Sequence, residues 1–315
     1  WGSIRGGEAN KGTDPGDFTA INPIQRYENN AAGGEMGSKY NVCYEGIARA
    51  NNVLRLLKNP GPDVTPADIT RLTAQARFLR AHFYFELYRD YNRTPYVDEN
   101  VDYGSGLEEV KNDKDLLPFV VADLDFAVKN LPATQAQVGR VNSWAAKAYL
   151  AKVYMYQKDF TKAKAMFDDV IANGVTSNGK KYGLVPYYEN MFRAANDNHE
   201  ESVWAYQSAA NTGSVLNANP EFDLNFPYNT GPAGPGNCCG FFQPSFTFVN
   251  AFRTKNGLPL LDKSYNSAAN EVKNDMGVAS GAAFTPDAGP LDPRLDHTVG
   301  RRGIPYLDWQ DHPGQ

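Results

Sequence analysis

At 315 residues the chain can form one large domain or two ordinary ones, and 42% hydrophobic residues give it a sizeable core. A net charge of −5, with 21% charged residues and no basic run longer than a pair such as Lys180-Lys181 or Arg301-Arg302, argues against nucleic acid as a partner. No apolar run of about 18 residues occurs, so no transmembrane helix is expected.

Two further features of the composition matter. The chain holds 18 Tyr and 17 Phe, more than a core needs, which leaves aromatic side chains for a binding surface. Its 3 cysteines, Cys43, Cys238 and Cys239, have neither zinc nor CxxC spacing. Cys43 shares a helical stripe with Ile47, Ala50 and Leu54 and reads as a buried, inert thiol, whereas the vicinal Cys238 and Cys239 fit either a disulfide or two thiols.

The chain opens at Trp1 without a Met, which reads as a processed or partial chain. Residues 1–37 are rich in Gly, Asn, Asp and Pro and are expected to be ordered loop. Polar and aromatic residues interleave there: Trp1, Arg5, Glu8, Asn10, Lys11, Phe18 and Tyr27. From Ser38 the pattern turns helical, with Tyr40, Cys43, Tyr44, Ile47, Ala50, Asn51, Leu54 and Leu57 on one stripe. Asn51 lies inside that stripe, and a buried amide without a partner is costly, so a bond to neighbouring backbone is expected. Pro60-Gly61-Pro62 ends the element.

Thr65 as N-cap, Pro66 in the first turn and Asp68 beyond it start a second helix that runs to about Tyr91. Leu72, Ala76, Leu79, Phe83, Leu87 and Tyr91 form its expected apolar face, with Arg77 and Arg80 alternating with it. Asn92-Arg93-Thr94-Pro95 breaks this helix. A partner helix is expected over residues 115–131, with Val120, Leu124, Ala127 and Leu131 inward.

Residues 143–173 predict a helical hairpin: Leu150, Ala151 and Tyr154 on one arm, a break at Gln157-Lys158-Asp159, then Ala163, Phe167, Val170 and Ile171, with Gly174 as the stop. Small residues at Ala151 and Ala163 allow close approach, which is the physical content of the tetratricopeptide unit of about 34 residues. One hairpin cannot bury its own apolar face, so the helices before it are expected to stack on it. Beyond it, Ser202-Val203-Trp204-Ala205-Tyr206 reads as a strand with Trp204 in the core. Residues 207–246 are dense in Gly, Pro and Asn yet carry Phe222, Phe226, Tyr228, Phe241 and Phe242, and a loop of that length is expected to be functional. A short helix follows over residues 246–252, then loops around Asp292-Pro293-Arg294-Leu295.

Four phrases together resemble the SusD/RagB family of Bacteroidetes surface glycan-binding lipoproteins. They are Tyr44-x2-Ile47-x3-Asn51; Ala76-Arg77-Phe78-Leu79-Arg80-Ala81-x2-Tyr84-Phe85 followed by residues 92–97; Gly139-Arg140-Val141 leading into the hairpin; and Phe252-Arg253-x2-Asn256-Gly257 with Asp292-Pro293-Arg294-Leu295. Asn92-Arg93-Thr94 departs from the family's glycine turn, Tyr40 stands where Trp is common, and the lipid-carrying Cys and the late helices are missing.

The resemblance implies a mostly α fold: tetratricopeptide-like hairpins as scaffold (residues 38–173), with long irregular loops and a few short strands in residues 1–37 and 182–315, all forming a single SusD-like domain over residues 1–315 that is incomplete at both ends. It implies an oligosaccharide or polysaccharide ligand, a SusC-like TonB-dependent transporter as partner, and the extracellular face of the outer membrane, reached through a lipid anchor outside this chain. It places ligand contacts in the segment before the first long helix and in the loop after Trp204. The candidates are therefore Trp1, Arg5 and Asn10 from the first, and Phe226, Tyr228, Phe241 and Phe242 from the second. Aromatic faces stack on sugar rings and planar polar groups meet hydroxyls.

No G-x-S-x-G, Walker, H-E-x-x-H or G-x-G-x-x-G motif occurs at a usable place, and His82, His199, His297 and His312 are scattered. No catalytic residue, cofactor or metal is assigned, and Asn196-Asp197-Asn198-His199-Glu200 reads as a polar turn in preference to a calcium loop. The competing functional readings are a peptide-binding member of the same family and a tetratricopeptide-type adaptor, which would want uninterrupted repeats.

Overall fold

The computed structural model describes residues 2–30, 33–208, 240–306 and 309–314. The chain divides into two compact units, Trp1–Glu35 with Ser208–Gln315, and Met36–Gln207. The expected loop at the N-terminus is more structured than its composition indicates. It holds a short helix α1 (Gly2–Gly6), a strand β1 (Ala9–Gly12) and a helical turn α2 (Asn22–Gln25). Ile4, Ala9, Ile21 and Ile24 are its buried apolar residues among those described.

Five long helices follow: α3 (Gly34–Leu56), α4 (Pro66–Tyr91), α5 (Leu117–Asn130), α6 (Ser143–Tyr156) and α7 (Phe160–Asn173). Within the second unit α4 packs on α5, α5 on α6 and α6 on α7. The expected N-cap holds: the Thr65 hydroxyl accepts from the Asp68 N–H at 3.1 Å. The α6–α7 turn forms because Lys158 adopts φ 61° and the Asp159 carboxylate then caps α7 through the Lys162 N–H. Ala151 and Ala163 are fully buried in that hairpin. Ile171, assigned inward by its spacing, is instead 69% exposed, because Val170 takes the inward position one residue earlier. Gly174 stops α7 in an extended conformation; a Cβ there would meet the Val170 carbonyl at 2.4 Å and the Tyr182 ring at 2.7 Å.

The buried face of α4 is wider than the expected stripe. Ala76 and Leu87 are buried as expected, Ala74, Phe78, Ala81, Tyr84 and Phe85 join them in the core, and Leu79 is exposed. Arg80 is drawn inward with this face and is buried against Asp123 of α5: Nε donates to Oδ2 at 2.7 Å and Nη2 to Oδ1 at 2.9 Å. Arg77 adds a bond to the same carboxylate at 2.6 Å, and Arg80 also reaches Glu99 at 2.5 Å. Burial disfavours the charged form of Arg80, but Asp123 outweighs it and holds the guanidinium protonated.

Asn51 bonds to backbone as expected: its amide nitrogen donates to the Val97 carbonyl at 3.0 Å, and its oxygen accepts from Arg80 at 3.0 Å. The Tyr84 hydroxyl donates to the Val97 carbonyl at 2.8 Å and accepts from the Val97 N–H at 2.6 Å. Together these clamp the chain after the α4 break, where Asn92 takes φ 64° and so does the work of the missing glycine. Cys43 is a free, buried thiol, and burial pushes it up to about 11.

Residues 202–206 are irregular rather than a strand. Trp204 leaves the extended path to pack edge-on against Phe78 and His82, with ring centroids at 4.9 and 5.2 Å. The polar turn before it is tied to the chain beyond Trp204: the side-chain amides of Asn198 and Gln207 pair twice at 3.1 Å. Among the described residues no helix is long and apolar enough to cross a membrane.

Returning to the first unit, β2 (Phe241–Pro244) pairs antiparallel with β1, matching Ala9 with Pro244, Asn10 with Gln243 and Gly12 with Phe241. A helical turn α8 (Phe246–Asn250) follows, shorter than its apolar run predicts. A hairpin then joins β3 (Thr254–Lys255) and β4 (Leu258–Pro259), where Asn256 at φ 53° and Gly257 at φ 75° make the Asn-Gly turn that such hairpins favour. Asp292 caps a 3-10 turn that seats the fully buried Leu295, and β5 (Pro305–Tyr306) pairs with β6 (Gln310–Asp311).

Candidate functional site

The pairing of β1 with β2 sets the geometry of the candidate site. It brings Asn10 and Phe241, assigned from opposite ends of the chain, onto neighbouring strands of one ribbon, with Phe242 following on β2. Gly12 is needed at the crossing. It has φ 74°, and a Cβ there would meet the Gly240 carbonyl at 2.1 Å. That carbonyl also accepts from the Thr13 N–H at 2.9 Å, which locks the ribbon end.

Arg5 sits on α1 and holds a second group of side chains. Its guanidinium donates to the Asn29 side-chain oxygen and lies 5.5 Å from the Tyr27 ring centre, while the Tyr27 hydroxyl donates to the Arg5 carbonyl at 2.7 Å. Trp1, Phe226 and Tyr228 lie outside the described residues, as do Cys238 and Cys239.

Three residues join the candidates that sequence reasoning did not choose. Phe18 is 46% exposed and meets Phe241 edge-on, with centroids 6.4 Å apart. Tyr27 is 62% exposed, and Gln243 is the exposed partner of Asn10 across the ribbon. The interleaving of aromatic and polar residues before the first long helix was the signal for Phe18 and Tyr27. Lys11, from the same stretch, is structural: it is buried and donates to the Asp14 and Asp17 carbonyls at 3.0 and 2.5 Å.

Backbone strain marks the same residues. Phe18, Tyr27 and Phe242 all hold positive φ, at 41°, 59° and 57°. Such values are uncommon for bulky side chains and persist where surrounding structure fixes them, often at ligand sites. Chemically, the ribbon offers aromatic side chains and the amides of Asn10 and Gln243, and the group around α1 offers the Tyr27 ring and the Arg5 guanidinium. Among the described residues no group of His, Cys, Asp and Glu is arranged to hold a metal ion.

The chain belongs to the SusD/RagB family: a family described as "Starch-binding associating with outer membrane" matches residues 16–155, and the SusD family matches residues 200–314. A SusD-like protein of Bacteroides ovatus is 30% identical over 179 residues, covering 52% of this chain and 31% of that protein. Among solved structures, surface glycan-binding protein A from Bacteroides fluxus superposes with a TM-score of 0.63 at 20% identity, covering 98% of this chain and 65% of the other. A structure described as with xylogluco-oligosaccharide gives a TM-score of 0.63 at 24% identity, covering 79% of this chain and 50% of that one. These structural likenesses show the fold, mostly α with few short strands. The chain matches about a third of the curated relative's length and half to two thirds of the lengths of these two solved structures.

Proposed function

We propose that the protein binds an oligosaccharide or polysaccharide at the cell surface without chemically altering it, and passes it to a SusC-like TonB-dependent transporter. The observation that carries this reading is the β1–β2 ribbon, whose register sets Phe241 on the same strand face as the cross-strand amides of Asn10 and Gln243, with Phe242 next to it on β2. Sugar rings have apolar faces for the first and hydroxyls for the second. The names of the similar structures, one a glycan-binding protein and one with a xylogluco-oligosaccharide, support the same ligand class.

In this reading Arg5, Asn10, Phe241 and Phe242 contact ligand, together with Trp1, Phe226 and Tyr228. Residues 1–315 form one SusD-like domain, in which the helices serve as scaffold and the loop-rich portion faces the ligand. The protein works at the extracellular face of the outer membrane, held there by a lipid anchor and by its transporter.

The test is titration calorimetry of the purified protein against oligosaccharides from xyloglucan, laminarin and starch, with Phe241→Ala and Asn10→Ala beside the parent. Loss of a stacked ring at a binding centre costs more than about 1.4 kcal/mol, so Phe241→Ala should weaken binding at least tenfold. Unchanged affinity in both variants, with melting curves intact, would remove the ribbon from the site.

A further inference from the structure

A second concave surface lies in the same unit, away from the strands of the ribbon. Arg253 is buried and ties three chain segments together. Its Nε donates to the Asn270 carbonyl at 2.9 Å, and Nη2 donates to the Glu271 carbonyl at 3.0 Å. The fork of the guanidinium closes on both carboxylate oxygens of Asp287, at 3.0 and 2.7 Å. The same carboxylate accepts from the Lys273 N–H at 2.8 Å and the Gly289 N–H at 2.7 Å, and Thr254 N–H bonds the Pro290 carbonyl at 3.0 Å. Gly289 is required by this packing, since a Cβ there would sit 2.1 Å from Arg253 Nη1.

The three segments wall an open groove of about 800 Å³, inside the range of about 300–1,000 Å³ that small-molecule sites occupy. Its charges balance: Arg253, Lys255 and Lys273 stand against Asp262, Glu271 and Asp287. Among the described residues no aromatic side chain lines it, so a flat ring has no platform there. Lysine ammonium, Asn256 amide, Ser264 hydroxyl and Glu271 carboxylate instead supply donors and acceptors side by side. An anion would want surplus positive charge, which is absent from this lining. A peptide strand would want backbone donors along a wall, and Pro286 and Pro290 have none to give. What fits a balanced set of hydrogen-bonding groups without an aromatic face is a neutral polyol.

We infer that this groove is a second carbohydrate subsite, separate from the β1–β2 ribbon, which takes a sugar unit by its hydroxyl edge. The inference rests on the glycan reading of the protein. The Arg253–Asp287 pair holds the walls and Asn256 sits in the β3–β4 turn, while the side chains of Lys255 and Glu271 read the ligand from exposed positions.

The experiment is titration calorimetry with xyloglucan, laminarin and starch oligosaccharides, comparing the parent, the groove double variant Lys255→Gln/Glu271→Gln and the ribbon variant Phe241→Ala. The expected parent result is two sites per chain for one of these sugars. The groove variant then loses one site, or weakens it at least tenfold, and leaves the other unchanged; Phe241→Ala does the reverse. A parent stoichiometry of one, lowered by Phe241→Ala and untouched by the groove variant, overturns the groove and leaves the glycan reading standing. No binding of any of the three sugars by the folded protein overturns both.

Discussion

Removing the Asp123 carboxylate is the sharpest test of the helical unit. Its side chain is 4% exposed and that of Arg80 is 5% exposed, so neither charge is hydrated in the fold. Asp123→Ala deletes three charge-assisted bonds at once, two to Arg80 and one to Arg77. Breaking a buried ion pair on one side costs about 3–5 kcal/mol, because the remaining charge is left buried. Arg80 keeps Glu99 and Asn51, at 2.5 and 3.0 Å, which sets the expectation near the lower end, about 3 kcal/mol. With a urea slope of about 1–3 kcal/mol/M, the midpoint followed by helical circular dichroism should fall by roughly 1–3 M. Replacing both partners, as in Arg80→Met with Asp123→Leu, should recover most of that loss, since no charge is stranded. A single variant within about 1 kcal/mol of the parent would refute the argument, because it would mean that water reaches the pair.

Ala151→Trp forces an indole into the fully buried α6–α7 contact and should cost on the order of 1–3 kcal/mol in the same urea assay; an unshifted curve would contradict the close approach of these helices. Gly12→Ala adds a Cβ 2.1 Å from the Gly240 carbonyl, so the ribbon should lose its register, visible as shifted amide resonances across residues 9–13 and weaker glycan binding. Arg253 holds the Asp287 carboxyl below the ordinary carboxylate range, so its contribution to stability is present above about pH 4 and drains away as pH falls through the lowered value. The acid slope of urea stability should therefore flatten in Asp287→Asn, and an unchanged slope would remove that pair from the acid response. At Phe18, φ 41° predicts that Gly is more stable than Ala by about 1 kcal/mol, the reverse of an ordinary position; Ala at least as stable as Gly would dismiss the strain.

The helices were legible because their local signals agree with one another. Thr65, Pro66 and Asp68 mark a start, Gln157-Lys158-Asp159 a turn, and the spacing of Val120, Leu124 and Ala127 an inward face that is indeed buried. Asn51 was legible for a different reason: a polar residue inside an apolar stripe demands a partner, and Val97 and Arg80 supply it. Arg80 was misplaced because charge normally points outward, and its partner Asp123 lies 43 residues away, where periodicity carries no information. The run around Trp204 has strand propensity, but a strand needs a neighbour, and the indole gains more by packing on Phe78 and His82. The β1–β2 ribbon is four residues per strand with partners more than 200 residues apart, too short for a period and too distant for a local signal.

The two units therefore differ in how far local preference and final structure agree. In Met36–Gln207 the non-glycine residues with positive φ are Asn92, Lys158 and Asn198, each at a helix end or turn, where asparagine tolerates that conformation and Lys158 reverses the chain between α6 and α7. Among the described residues of the other unit Thr13, Phe18, Tyr27, Phe242, Asn256 and Lys263 carry it, and the three aromatic residues do so against their own preference. Sequences that break a local rule do so at a cost of order 1–3 kcal/mol per residue, and such costs persist where something else is gained. Here the surrounding bonds fix where the rings lie: the Tyr27 hydroxyl is held by the Arg5 carbonyl, and Phe18 is braced by Phe241. A ring fixed before the ligand arrives loses little rotamer freedom on binding, which otherwise costs about 0.5–1.5 kcal/mol per immobilised side chain. The strain in this unit is thus spent in folding rather than at the moment of binding, and it explains why the aromatic residues of the candidate site were harder to place from sequence than any helix.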